Sequence, residues 1–157
     1  MIISEITTNA KSMIEFLKNV AKELQNLSIP LKQSGMLMMG SVDKNFREQG
    51  RPDKWQSLKA STVKNRRKGS ATILQDTGRL KGSITLGSPS ANSISVGTSV
   101  KYAPTHNFGT SKAGRSKNVN IPKRQFMLFQ PEDITRIDQV FLKFTGKALT
   151  SKTVRIG

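Results

Sequence analysis

The sequence predicts an α+β fold: helices at the N-terminus, a small antiparallel β-sheet with a long basic loop, and a C-terminal helix packed on the sheet. Two observations point there. Apolar residues recur at three- and four-residue steps over 2–28 and again near 132–148, the period of an amphipathic helix. Between Ser83 and Val100 the period changes to two, as a half-buried strand requires. Composition adds a third constraint. The hydrophobic share of 35% lies below the globular norm of roughly 45–50% (which also counts Gly), so the core should be thin. At 157 residues one domain over 1–157 is expected, divided into a helical part at 1–50, an α+β part at 51–149 and a tail at 150–157.

In the first helix, Ile2, Ile6, Met13, Ile14, Leu17, Val20, Ala21, Leu24 and Leu27 share one face, and Lys11, Lys18, Lys22 and Gln25 take the other. Pro30 stops it or opens the next element. A second helix over about 31–48 places Leu31, Met38, Val42 and Phe46 together, although Gly35 and Gly40 each cost up to ~1 kcal/mol relative to Ala. Gly50-Arg51-Pro52-Asp53 breaks the chain. Within Trp55–Lys68, Ser61 or Thr62 is the expected cap of a short helix whose last turn holds Lys64, Arg66, Arg67 and Lys68, cations that suit the dipole.

Residues 71–76 read as a short extended or capped stretch leading into Thr77-Gly78. Ile84 and Leu86 form one strand, Ser88–Asn92 has turn composition, and Ile94 and Val96 alternate with Ser93 and Ser95, which is a β-hairpin. Tyr102–Phe108 is a short helix ended by Gly109. Residues 110–120 are polar and basic with no apolar period, so they are expected to be a flexible loop that orders on meeting a partner. Ile121–Gln130 is expected as a strand of the same small sheet. Pro131-Glu132-Asp133 opens the last helix with acids at its N-terminus, followed by Ile134, Ile137, Phe141, Leu142, Phe144 and Leu149 largely on one face. The tail from Thr150 is polar and expected to fray.

Charge and chemistry narrow the function. There are 26 Lys+Arg against 10 Asp+Glu, a formal net charge of +16, and between Thr77 and Pro131 no acid at all. That stretch holds Arg79, Lys81, Lys101, Lys112, Arg115, Lys117, Lys123 and Arg124, just downstream of the cationic cluster Lys59, Lys64, Arg66, Arg67 and Lys68. Such a footprint invites nucleic acid, yet no groove helix, aromatic platform or zinc frame accompanies it. Zero Cys excludes disulfides and a cysteine nucleophile. His106 is the one histidine and stands in the acid-free stretch, so the chain offers neither a convincing metal set nor a catalytic pair; no cofactor and no enzyme activity are expected. No apolar run approaches the ~18 residues of a membrane span, and the N-terminus lacks signal-peptide character, so synthesis in the cytoplasm is expected.

Several motifs stand in a defined order: Trp55-Gln56-Ser57-Leu58 with Thr62; Ile73-Leu74-Gln75-Asp76-Thr77-Gly78-Arg79-Leu80; Val96-Gly97-Thr98; Tyr102-Ala103 with His106, Phe108 and Gly109; Ile121-Pro122 with Arg124 and Phe126; and Pro131-Glu132-Asp133. Over about residues 40–145 this series resembles the phage virion morphogenesis family, the tail-completion proteins of P2-like and Mu-like contractile-tailed phages. The chain departs from the family's pattern at Lys123, Gln125 and Met127-Leu128.

The resemblance implies a non-enzymatic structural protein of the virion. It would act late in assembly in the bacterial cytoplasm, completing the tail and helping to form the head–tail neck. Relatives in the wider group form rings, often hexameric, that cap the tail tube and face the head connector. The implied partners are further copies of the chain, tail-tube or neck proteins, and non-specifically the double-stranded DNA passing through; no membrane is implied. The alternative is a basic protein contacting the phosphate backbone of nucleic acid.

Physical roles follow for the motif residues. Gly78 permits a tight turn that Asp76 caps, and Trp55 is a packing anchor. Tyr102, His106 and Phe108 pin the short helix against the hairpin, with Gly109 allowing a left-handed exit. Arg79 and Arg124 are the candidates to reach a partner carboxylate, since guanidinium forks pair bidentately. Lys112, Arg115 and Lys117 of the basic loop, with Lys123, complete the candidate docking set.

Overall fold

A computed structural model describes residues 2–150, with side chains from Lys11 onward. Helix α1 spans Ile2–Leu24 and α2 spans Ser28–Glu48. Helix α2 starts two residues before Pro30 rather than after it, because a proline in the first turn removes only an N–H that has no intrahelical acceptor. Helix α2 is the spine of the molecule. Its Met38, Val42 and Phe46 are buried, and Phe46 meets Trp55 edge-on at 5.8 Å and Phe126 at 5.2 Å between ring centroids. Ile73, Leu74, Leu80, Val100 and Ala103 complete this core. Truncating Phe126 to Ala there costs about 3–5 kcal/mol.

Beyond α2 the chain makes short elements: α3 (Ala60–Lys64), a 3₁₀ turn (Arg67–Gly69) and α4 (Arg79–Gly82). The expected Ser61 or Thr62 cap is not used, since α3 opens after Lys59 in extended conformation with no side-chain cap. The predicted hairpin is present but reduced to β1 (Thr85–Leu86) and β2 (Val96–Gly97), antiparallel with Leu86 opposite Val96. It packs on α2 at Gly35, where a Cβ would collide with the Leu86 side chain. The glycine that weakened the helix prediction is what lets the hairpin approach.

Helix α5 spans Ala103–Phe108, close to prediction. The basic segment after it is not an irregular loop. It forms a second antiparallel hairpin, β3 (Thr110–Ala113) with β4 (Val119–Ile121), turning through Gly114–Lys117. Its strands are exposed over most of their length, so no apolar alternation announces them. The molecule therefore has two small sheets rather than one. The strand expected over 121–130 ends at Ile121, because Pro122 has no amide N–H and the amides of Arg124, Phe126 and Met127 bond to α5, at the His106 carbonyl and the Asn107 side chain, instead of a neighbouring strand.

Helix α6 spans Pro131–Thr150 and lies mainly along α2, the helix that also carries β1 and β2, with a second contact on α1. The α+β class is the one observed. The fraying expected for the tail falls on residues 151–157, outside the described ones. Two helices leave apolar surface uncovered. On α1, Val20 is buried while Met13, Ile14 and Leu17 are exposed; on α6, Ile137, Phe141 and Phe144 are half-buried while Ile134, Leu142 and Leu149 are exposed. The apolar face predicted for α6 is thus wider than the neighbour that covers it.

Candidate functional site

Around Trp55 the family-like motifs converge on one cleft of about 540 Å³, walled by the segment after Trp55, by α4 and its preceding turn, by α5 and by β4. Trp55 orients the first wall: its ring is buried against Phe46 and its Nε1–H donates to the Gln125 carbonyl at 3.3 Å. The carbonyl of the next residue, Gln56, then accepts both Nε–H and Nη2–H of Arg124, at 3.1 and 3.0 Å. Helix α5 is clamped from below. Arg124 donates its amide to the His106 carbonyl at 2.8 Å, and Asn107 Oδ1 accepts the amides of Phe126 and Met127 at 3.1 and 3.0 Å. Gly109 makes the exit possible, with φ +75° and a backbone approach so close that a Cβ would stand 2.8 Å from the Lys123 nitrogen.

The lining is cationic and apolar together. Lys59, Arg66, Arg79 and Arg124 face it with a single acid, Asp76, while Leu58, Leu80, Tyr102 and Ile121 supply hydrocarbon. His106 stacks edge-on with Tyr102 at 5.7 Å, and its buried Nδ1 has no hydrogen-bond partner among the described residues. Burial first, then the positive charges of Arg124 and Arg66, push the His106 pKa below its ordinary value, so the imidazole is neutral at neutral pH. Burial and Arg66 likewise lower the Arg124 pKa. Among the described residues no three His, Asp or Glu side chains group as a metal ion would need.

The candidate docking residues separate. Arg79 is exposed on the cleft wall. Arg124 is 6% exposed, with its Nε–H and Nη2–H on the Gln56 carbonyl, at the edge of the same cleft. Lys112, Arg115 and Lys117 are exposed on the β3–β4 hairpin and its turn, and Lys123 is exposed beyond β4. Asp76 is exposed and makes no cap; the Thr77 hydroxyl accepts the Arg79 amide instead, at 3.3 Å, beside Gly78 at φ +73°. Tyr102 and His106 line the cleft, whereas Phe108 is 69% exposed.

A second polar centre was not legible in the sequence. Arg51 donates to Asn45 Oδ1 at 2.8 Å, to the Ser41 carbonyl and hydroxyl at 3.1 and 2.7 Å, and to Glu132 Oε1 at 3.0 Å. The Ser41 hydroxyl in turn donates to Asp133 Oδ2, which also accepts the Gln130 amide at 3.0 Å as the N-terminal cap of α6. Asn45 Nδ2–H donates to the Phe126 carbonyl at 2.9 Å and Gln130 Nε2–H to the Arg51 carbonyl at 2.9 Å. These groups come from three distant segments, and the acids expected to serve only the helix N-terminus also hold α6 to α2.

Comparison with known proteins agrees with the motif order. The model of the phage virion morphogenesis family matches residues 8–144. The chain is 36% identical over 125 residues to Mu-like prophage FluMu G protein 2 of Haemophilus influenzae, an alignment covering 80% of this chain and 83% of that protein. No solved structure matches. With the family model spanning most of its length, the chain belongs to the phage virion morphogenesis family, and its role lies in assembling the phage particle.

Proposed function

We propose that this protein is a non-enzymatic structural subunit that completes the phage tail and helps to form the head–tail junction, working as a ring of identical copies. The observation that supports this reading is the uncovered apolar surface of α1 and α6, where Met13, Ile14, Leu17, Ile134, Leu142 and Leu149 all stand exposed. Grouped exposed apolar residues mark surfaces that are buried on association. Their occupant is a second copy of the chain, since a subunit that repeats around a ring must bury such faces against its neighbours. The assembled protein belongs in the virion, at the tail or neck, after assembly in the host cytoplasm. The hairpin carrying Lys112, Arg115 and Lys117 is the element that docks onto acidic neighbours.

The same hairpin supports a second reading, contact with the phosphate backbone of DNA, because it projects three exposed cations from a stretch without acids. The deciding experiment is deletion of the gene from a phage that carries it. Unjoined heads and tails should accumulate; normally joined, infectious particles would sink the proposal.

A further inference from the structure

We infer that the cleft between α3, α4, α5 and β4 receives a short peptide segment of a neighbouring particle protein, one that carries carboxylates beside aliphatic side chains. This rests on the assembly role proposed above and names the partner chemistry of that site. A volume of about 540 Å³ lies within the roughly 300–1,000 Å³ of ligand-holding clefts. Its cations fall into two kinds. Arg66 holds the Ser70 and Thr72 carbonyls through Nη1–H, and Arg124 holds the Gln56 carbonyl through Nε–H and Nη2–H, so both guanidiniums are fixed in place and contribute positive potential. Lys59 and Arg79 are exposed on the walls, with no ion pair or side-chain hydrogen bond among the described residues. They are the groups free to take a carboxylate, and Arg79 does so with a bidentate fork.

The rest of the lining chooses peptide over nucleic acid. Leu58, Leu80 and Ile121 offer hydrocarbon that a phosphodiester backbone cannot cover. Asp76 sits among the cations, where it would repel a polymer bearing about one negative charge per 1.7 Å but would accept backbone N–H groups of an extended peptide. The neutral His106 adds no further charge, so the attraction comes from the lysine and arginine side chains of the lining.

The test uses the nuclease-treated full chain as bait for a displayed random dodecapeptide library. Enriched peptides should pair Asp or Glu with Leu, Ile, Val or Phe. Their binding, read by fluorescence polarisation, should weaken at least about tenfold in Arg79→Glu and in Lys59→Glu, with melting temperatures unchanged. No enrichment, a consensus without acids, or acidic peptides that bind both variants as well as the parent would overturn the inference. So would a short DNA duplex that displaces the peptides at lower concentration than they bind. Complementation separates this from the assembly role. If deletion blocks head–tail joining yet the Lys59→Glu/Arg79→Glu double variant restores it fully, the cleft inference fails alone; if deletion leaves particles normal, the assembly role fails.

Discussion

Arg51 and Asp133 are joined through a single hydroxyl. Ser41 accepts from Arg51 Nη2 at 2.7 Å and donates to Asp133 Oδ2, so the buried guanidinium and the buried carboxylate meet without forming an ion pair of their own. The relay ties the turn after α2 to the first turn of α6. Removing the Asp133 carboxylate leaves the buried Ser41 hydroxyl and the Gln130 amide without their acceptor, while Arg51 keeps Glu132 at 3.0 Å.

Asp133→Ala should therefore destabilise the protein by about 2–4 kcal/mol, lowering the thermal midpoint by roughly 10 °C. Ser41→Ala should cost less, about 1–3 kcal/mol. Circular dichroism melts of the two single variants and the double variant measure the coupling. Strict additivity would mean the relay is not a unit.

Two glycines should respond with opposite sign. Gly109→Ala places a Cβ 2.8 Å from the Lys123 nitrogen at φ +75°, and should cost about 1–3 kcal/mol. Gly40 lies inside α2 with nothing within 4 Å of its would-be Cβ, so Gly40→Ala should stabilise by about 0.5–1 kcal/mol. Urea denaturation of both variants decides it.

Acid should weaken the fold through His106. Its pKa is lowered in the folded protein, so below the ordinary value of 6.5 the unfolded chain binds the extra proton first and stability falls as the pH drops toward the folded value. Above about pH 6.5 the group is neutral in both states and contributes no pH dependence. Melting temperatures taken between about pH 7.5 and 5.5 should fall less steeply for His106→Gln than for the parent. Equal slopes would show that the imidazole is not the group titrating.

The uncovered helix faces should govern self-association. Leu142, 69% exposed, is little covered by its own chain, so Leu142→Glu should leave folding intact while lowering the native mass. Leu17→Glu on α1 should act alike. Light scattering of nuclease-treated protein at physiological and high salt reads both, and a mass unaffected by either change would place the subunit interface elsewhere.

Any DNA binding should reside on the basic hairpin. Replacing Lys112, Arg115 and Lys117 by Glu should reduce the slope of log affinity against log salt by roughly 3, near 0.9 for each phosphate that is no longer neutralised. Filter binding to a duplex over a salt series measures it.

What was legible in the sequence was what local physics controls. The amphipathic period marked α1, α2 and α6 because a 3.6-residue repeat is written directly into neighbouring side chains. The β3–β4 hairpin escaped because exposed strands need no apolar alternation, and its pairing is carried by backbone groups that every residue has. The cleft was half legible. The motifs that line it could be read in order, but Arg79 and Arg124 looked equivalent until burial engaged one of them on the Gln56 carbonyl.

By itself the sequence determined the α+β class, the central acid-free basic stretch, and, through the order of its motifs, the family. Only the tertiary structure decided which groups meet: Arg51 with Ser41 and Asn45, Asp133 with Ser41, Asn107 with the amides of Phe126 and Met127. Such partners lie far apart along the chain, and no periodicity encodes them. They become obligatory only when packing removes water and each buried donor must find an acceptor.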